Sequence, residues 1–317
     1  MGDPATRQLR YDERAMIDRR QFLLAAAAAP VALAAPVEDL WGGPVIDIHA
    51  HTRNDPNGNA AHCDGAGISH AVLLTRANQL DAAKAAQAAH PGRFYISASA
   101  RLTDANAAAD LTAAVKAGAI AFGELKDPVQ SDGPELLRLY ALAAELDVPI
   151  MVHFQEYPNS PEGEFYANGF KNVPKLLEKF PKTKFVLHAN STWGNITAGK
   201  DAPGNYPSGK IVPGGLTDKM LGDYPNVWAD LSANSGQNAL SRDPEFTTGF
   251  LERHQDKLLY GSDCPCRDGK GTGVTGTRMA GKCLSRETLS IVKKQASPAV
   301  FRKIAWENTH KVYKIKA

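Results

Sequence analysis

Val45-Ile46-Asp47-Ile48-His49-Ala50-His51 ends a short apolar run on two histidines. Side chains two apart on a strand share a face, so both imidazoles can point to one side at the strand's C-terminal end. Seven further runs have similar strand character: 68–74, 94–100, 119–125, 148–154, 184–189, 226–232 and 257–263. Each is followed by a segment with helical spacing. In Pro134 to Asp147, proline and glutamate suit a first turn, and Leu136, Leu137, Tyr140, Ala143 and Ala144 fall on one face. Eight strand and helix alternations predict one (β/α)₈ barrel with its working face at the strands' C-terminal ends. The long connections are Pro158 to Gly169, Ser191 to Gly215 and Pro265 to Lys282, after strands five, six and eight.

Composition agrees with a large globular core. The 317 residues are 43% hydrophobic and 22% charged, and 36 Lys plus Arg against 34 Asp plus Glu leave a formal charge of +2. No basic run is interleaved with aromatics, so a nucleic-acid partner is not indicated.

The chemistry gathers on the predicted rim. His153 and His188 end strands five and six, Asp263 ends strand eight, and Glu124 ends strand four. As core histidines, His49 and His51 would be two polar rings needing partners in a barrel interior; a metal supplies those partners best. Six ligand-type groups on one rim suit a divalent ion of the zinc kind, with a position left open for water. Lys126 shares strand parity with Glu124. Arg76, Arg101 and Asn234 follow strands two, three and seven and are candidates for a substrate's carboxylate or carbonyl. Trp193 and Tyr157, in the long loops, are candidates for walling a substrate. His62, His70, His254 and His310 are assigned surface or rim roles.

These residues resemble the amidohydrolase superfamily, and within it the amidohydrolase-related branch, which also contains decarboxylases and lactonases. The resemblance runs from about Val45 to the chain's end. It includes His90-Pro91-Gly92-Arg93-Phe94, Gly261-Ser262-Asp263-Cys264-Pro265 and Trp306-Glu307-Asn308. It implies one or two metal ions, zinc foremost, on His49, His51, Glu124, His153, His188 and Asp263, with Lys126 as the alternative strand-four bridge if carbamylated; Glu124 is preferred because it needs no modification. It further implies a metal-activated hydroxide, with Asp263 shuttling the proton and His188 or His153 ligating the metal or steadying the oxyanion. The expected activity is hydrolysis of a C–N amide or a C–O ester or lactone in a small molecule. The nearest rival is non-oxidative decarboxylation of an aromatic or unsaturated acid; a metal-binding protein without turnover is the remote one.

Residues 1–35 read as a twin-arginine signal: Arg19-Arg20, then Gln21-Phe22-Leu23-Leu24, an alanine-rich run, and Ala32-Leu33-Ala34 as a cleavage site. The run is too short to span a membrane and holds Pro30. The expectation is export to the periplasm by that machinery, without a stable membrane anchor, leaving residues 36–317 as the barrel. Of the four cysteines, Cys264-Pro265-Cys266 is too tight for the usual zinc spacing, so Cys63, Cys264, Cys266 and Cys283 are expected to form one or two disulfides, with buried thiols as the alternative.

Overall fold

Strands buried on both faces need apolar residues at every position, which is why these runs are almost continuously hydrophobic. In the structure, a computed structural model that describes residues 39–156, 168–199, 206–276 and 278–316, they become β1 (Ile46–His51), β2 (His70–Arg76), β3 (Phe94–Ser99), β4 (Ala119–Leu125), β5 (Pro149–His153), β6 (Lys184–His188), β7 (Val227–Asp230) and β8 (Leu258–Leu259). All neighbours pair in parallel, in chain order. The ring closes where Ile48 N donates to Tyr260 O at 3.0 Å and Asp263 N donates to His49 O at 2.8 Å. The fold is the expected (β/α)₈ barrel, within the compact unit Val37–Ala317. The proposed signal, Tyr157 and most of the loop after β5 lie outside the described residues.

Ile46, Ile48, Val72, Leu74, Ala121, Met151, Val186 and Leu259 fill the barrel, and Val312, Tyr313 and Ile315 from the last turns pack against them. A larger apolar layer lies between strands and helices. Helix Pro134–Glu145 buries Leu136, Leu139, Tyr140 and Ala143, so its inner face is centred one residue away from the expected Leu137 and Ala144. Strand eight is much shorter than expected: beyond Leu259 the chain leaves the ladder, with Tyr260 N donating to Ile304 O at 3.2 Å. No helix among the described residues is long and apolar enough to cross a membrane.

Two irregularities aim the site. Between Asp47↔Ala71 and Ala50↔Leu73, β1 advances three residues against two of β2. The alternation therefore changes phase: Ile46 and Ile48 pack inside while Ala50 packs outside, which frees His49 and His51 to face the rim. Strand β4 makes the same step between Phe122↔Ile150 and Leu125↔Val152, which brings Glu124 to the inner side. Gly123 permits it. Its φ is +131°, and a Cβ there would meet Met151 Cβ at 2.7 Å and Met151 O at 2.8 Å.

Candidate metal centre

The rim brings together all six residues that the sequence proposes as ligands. Glu124 is central. Its Oε1 pairs with His153 Nδ1 and lies 3.2 Å from His188 Nε2, while its Oε2 lies 3.7 Å from His51 Nε2. Asp263 Oδ1 lies 3.3 Å from His51 Nε2 and 3.8 Å from His49 Nε2. Two ligand groups, His49 with His51 and His153 with His188, thus share one carboxylate.

The Nδ1 atoms of His49 and His188 are fixed from behind. Asp230 Oδ2 accepts from His49 Nδ1 at 2.8 Å and from Ser232 Oγ at 2.6 Å, and it lies 3.1 Å from His188 Nδ1. His188 Nδ1 is also 3.0 Å from Ser232 Oγ. With Nδ1 protonated toward this side, His49 and His188 each present an Nε2 lone pair to the centre. Both Nε2 atoms are buried without a hydrogen-bond partner among the described residues. Buried polar atoms normally have hydrogen-bond partners, so two buried imidazole Nε2 atoms without one, both aimed at carboxylates, are what a cation site requires once the imidazoles are neutral. The residues present fit a divalent metal. His153 is held in reverse, Nε2 toward Gln155 Oε1 at 2.8 Å and Nδ1 toward Glu124. Asp230 also accepts from Ser232 N at 3.1 Å, so its acceptor capacity goes to orienting histidines rather than to a metal.

Sequence reading missed Asp230, although it ends an apolar strand run just as Asp263 does. It also missed Asp47, which is fully buried. Asp47 accepts from His49 N at 2.9 Å, Ser262 N at 2.9 Å and Ser262 Oγ at 2.5 Å. That latch ties β1 to the segment carrying Asp263. Gly261 allows the close approach, since a Cβ there would lie 2.2 Å from Asp230 Oδ1 and 2.9 Å from His49 Cβ. Three non-glycine residues that follow the rim strands have left-handed backbone: Ala189 at φ 75°, Ala233 at 65° and Asp263 itself at 50°.

Electrostatics sort the groups. Burial works against ionising Asp263, but His49 and His51 outweigh it and hold the carboxyl below its usual range. Burial likewise opposes Glu124, but its bond to His153 and the His188 imidazole close beside it take it well below its usual range. Burial disfavours the His188 imidazolium, yet Asp230 and Glu124 push its pKa up to about 10 in the metal-free protein. His153 is lowered by burial despite Glu124. Asp263 is thus a carboxylate at neutral pH, the state a proton acceptor needs.

Two cavities meet this rim. One of about 640 Å³ is lined by His51, Glu124, Arg76, Arg101 and Lys126 among others. The other, about 310 Å³, has His153, His188 and Asp263 facing Asn234, with Val274 and Met279 on its wall. Lys126 borders both and is exposed; its neighbour Glu124 is the one inside the histidine cluster. Asn234 Oδ1 is buried without a hydrogen-bond partner among the described residues, so it is available to a ligand. Trp193 does not wall the site. It is 1% exposed in helix Ala189–Gly194, donates Nε1–H to Asp230 O at 3.0 Å and packs edge-on to Phe250. Its role is support beneath β7, because the chain turns into a helix directly after His188.

The other histidines divide. His70 opens β2 at the opposite end of the barrel from the rim, and His310 lies in helix Asn308–Tyr313. His254 is not a surface residue: it is 5% exposed and pairs with Asp218 at 2.6 Å. His62 is buried at 2%. The expected disulfides do not form, since all four cysteines are free thiols.

A family profile described as amidohydrolase matches residues 46–315. No curated protein sequence matches the chain. Among solved structures, the barrel resembles dihydroorotase from Campylobacter jejuni (16% identity, TM-score 0.55, covering 86% of this chain and 84% of that one). It also resembles a probable 2-pyrone-4,6-dicarboxylic acid hydrolase from Acinetobacter baumannii (14%, TM-score 0.53, 86% and 100%). A third similar structure is a dihydroxybenzoic acid decarboxylase from Polaromonas sp. JS666 with bound manganese (16%, TM-score 0.52, 87% and 98%). At these identities the likeness is one of fold. With the profile spanning nearly the whole described barrel and the histidine and carboxylate rim in place, the chain belongs to the amidohydrolase family.

Proposed function

We infer that the protein is a metal-dependent hydrolase of a C–N amide or a C–O ester or lactone bond in a small molecule. The observation that carries this reading is the sharing of Glu124 between the His49 and His51 group and the His153 and His188 group. A shared carboxylate suits two divalent ions held by His49, His51, Glu124, His153, His188 and Asp263, with zinc favoured by the nitrogen and oxygen donors. Such ions, when bound, lower the pKa of a water and polarise a carbonyl.

The chain's own residues supply the remaining chemistry. Asp263, kept ionised beside His49 and His51, takes the nucleophile's proton and returns it to the leaving group. His188, clamped by Asp230 and Ser232, keeps its Nε2 aimed at the reacting centre, and Asp47 holds Ser262 and so the reach of Asp263. Asn234 offers its free oxygen to a substrate N–H or O–H. Arg76, Arg101 and Lys126 on the larger cavity suit a substrate carboxylate or carbonyl.

Decarboxylation of an aromatic or unsaturated acid is the second reading, favoured by the apolar wall of Pro265, Val274, Met279 and Leu284 beside Lys126 in the smaller cavity. Export to the periplasm completes the proposal, on the strength of Arg19-Arg20 and the alanine-rich run after it. The test is a screen of metal-loaded protein against amides, lactones, esters and aromatic acids, repeated on Asp263→Asn. Hydrolysis that falls about 10²–10⁴-fold in the variant supports the reading. Loss of carbon dioxide without hydrolysis replaces it with the second reading, and no turnover of either kind points to a binding protein.

A further inference from the structure

Four soft or borderline ligands converge behind the rim. His62 lies on helix Gly58–Ala66, Cys264 and Cys266 open the loop after Asp263, and Cys283 precedes helix Leu284–Gln295. Cys264 Sγ is 3.4 Å from Cys266 Sγ and 3.9 Å from Cys283 Sγ, and Cys266 Sγ is 3.4 Å from His62 Nδ1. All four ligand atoms lie within 4.8 Å of one another.

These spacings do not suit disulfides, whose sulfurs sit about 2.05 Å apart. They match the edges of a tetrahedron around zinc: bonds of about 2.3 Å to sulfur and about 2.0–2.1 Å to nitrogen put sulfurs about 3.8 Å apart and sulfur about 3.5 Å from nitrogen. The surroundings agree. His62 Nδ1 is 3.1 Å from Cys266 O as well as 3.4 Å from Cys266 Sγ; its Nε2 is 3.0 Å from Ser285 Oγ, and in the tautomer that donates to Ser285 the Nδ1 lone pair is released for a metal between the sulfurs. Cys266, Cys283 and His62 are buried, and neither rim cavity is lined by any of the four. Four protein ligands with no open position describe a closed, structural site.

We propose that His62, Cys264, Cys266 and Cys283 bind one structural zinc ion, separate from the histidine and carboxylate centre, that anchors the loop from Cys264 to Cys283. Binding releases the three thiol protons and leaves a net charge of −1 on the cluster. Arg53 stands nearby to offset that charge, donating Nη2–H to Cys266 O at 2.6 Å. The loop carries Pro265, Val274 and Met279 of the smaller cavity and begins at the residue after Asp263. The ion therefore fixes one wall of the site.

The test uses the full chain purified with zinc and without reductant. Titration with a thiol-specific mercurial should release one zinc per chain as the thiols react, which a centre built from nitrogen and oxygen ligands would not do. Reconstitution with Co²⁺ should give a thiolate-to-cobalt charge-transfer band in the near ultraviolet, lost in Cys283→Ser. If that variant does not fold, the wild-type titration and band decide alone. A thiol count two short of four in denaturant, four reactive thiols with no zinc released, or no charge-transfer band would each overturn the proposal.

Discussion

Replacing Asp230 by asparagine changes one atom and should disable two histidines. In the wild type its Oδ2 faces His49 Nδ1 at 2.8 Å and Ser232 Oγ at 2.6 Å, and its Oδ1 faces Ser232 N at 3.1 Å. An asparagine NH₂ must take one of these places, so a donor meets a donor whichever way the amide sits. With the nitrogen at Oδ2, His49 and His188 are driven to the other tautomer, with the proton on Nε2, where the metal should bind. Loss of such an orienting partner typically costs about 10–100-fold in metal affinity. Two histidines share this carboxylate and their losses are not additive, so we expect about 100-fold, or about 2.7 kcal/mol. The assay is calorimetric titration of metal-free protein with Mn²⁺, an ion that thiolates do not select. In the same variant the imidazolium of His188 should titrate well below about 10, the value it holds beside Asp230 and Glu124. An Mn²⁺ Kd within threefold of wild type, about 0.65 kcal/mol, would refute the claim that Asp230 sets the tautomers.

Glu124→Gln should lower metal content and activity sharply while Lys126→Ala is milder; the reverse ranking, or a carbamate found on Lys126, would move the bridge to the lysine. Binding should also be proton-linked. The folded pKa of His188 lies above its ordinary value, so its stabilisation of the metal-free fold is complete below about 6.5 and fades as pH rises through about 10. A ligating histidine must be neutral, so Mn²⁺ added at pH 7.5 in weak buffer should release at least one proton per chain and bind more tightly as pH rises; an indicator dye that records none would contradict this. Replacing Arg19 and Arg20 together by lysine should leave the full-length chain in the cytoplasm, and fractionation showing undiminished periplasmic protein would remove the export proposal.

Much of the rim was legible because a polar residue at the end of an apolar run is costly unless it has a purpose. That reasoning finds His49, His51, Glu124, His153, His188 and Asp263. Applied evenly it would have found Asp230, which ends Val227-Trp228-Ala229 in the same manner, with Ser232 two residues on. Asp47 is harder to find, since its partner Ser262 is 215 residues away. The phase changes in β1 and β4 are also hidden: simple alternation from the inward-facing Ala121 would turn Glu124 outward, and only the register shift beside Gly123 brings it in. Trp193 shows the limit for aromatics, because a loop residue and a buried prop have the same local sequence. The cysteines show it for spacing: Cys264 and Cys266 are too close to be a zinc pair on their own, and the missing ligands, His62 and Cys283, arrive from a helix in the first βα unit and from the far end of the loop.

The central claim is that Glu124 joins two metal positions. Anomalous diffraction at the zinc absorption edge from crystals of the metal-loaded protein tests it without reference to any substrate. Two peaks about 3.5–4 Å apart should flank the Glu124 carboxylate, one beside His49, His51 and Asp263 and the other beside His153 and His188. A single peak held by His49 and His51 with Glu124 unligated, or no peak at the rim, would contradict the account.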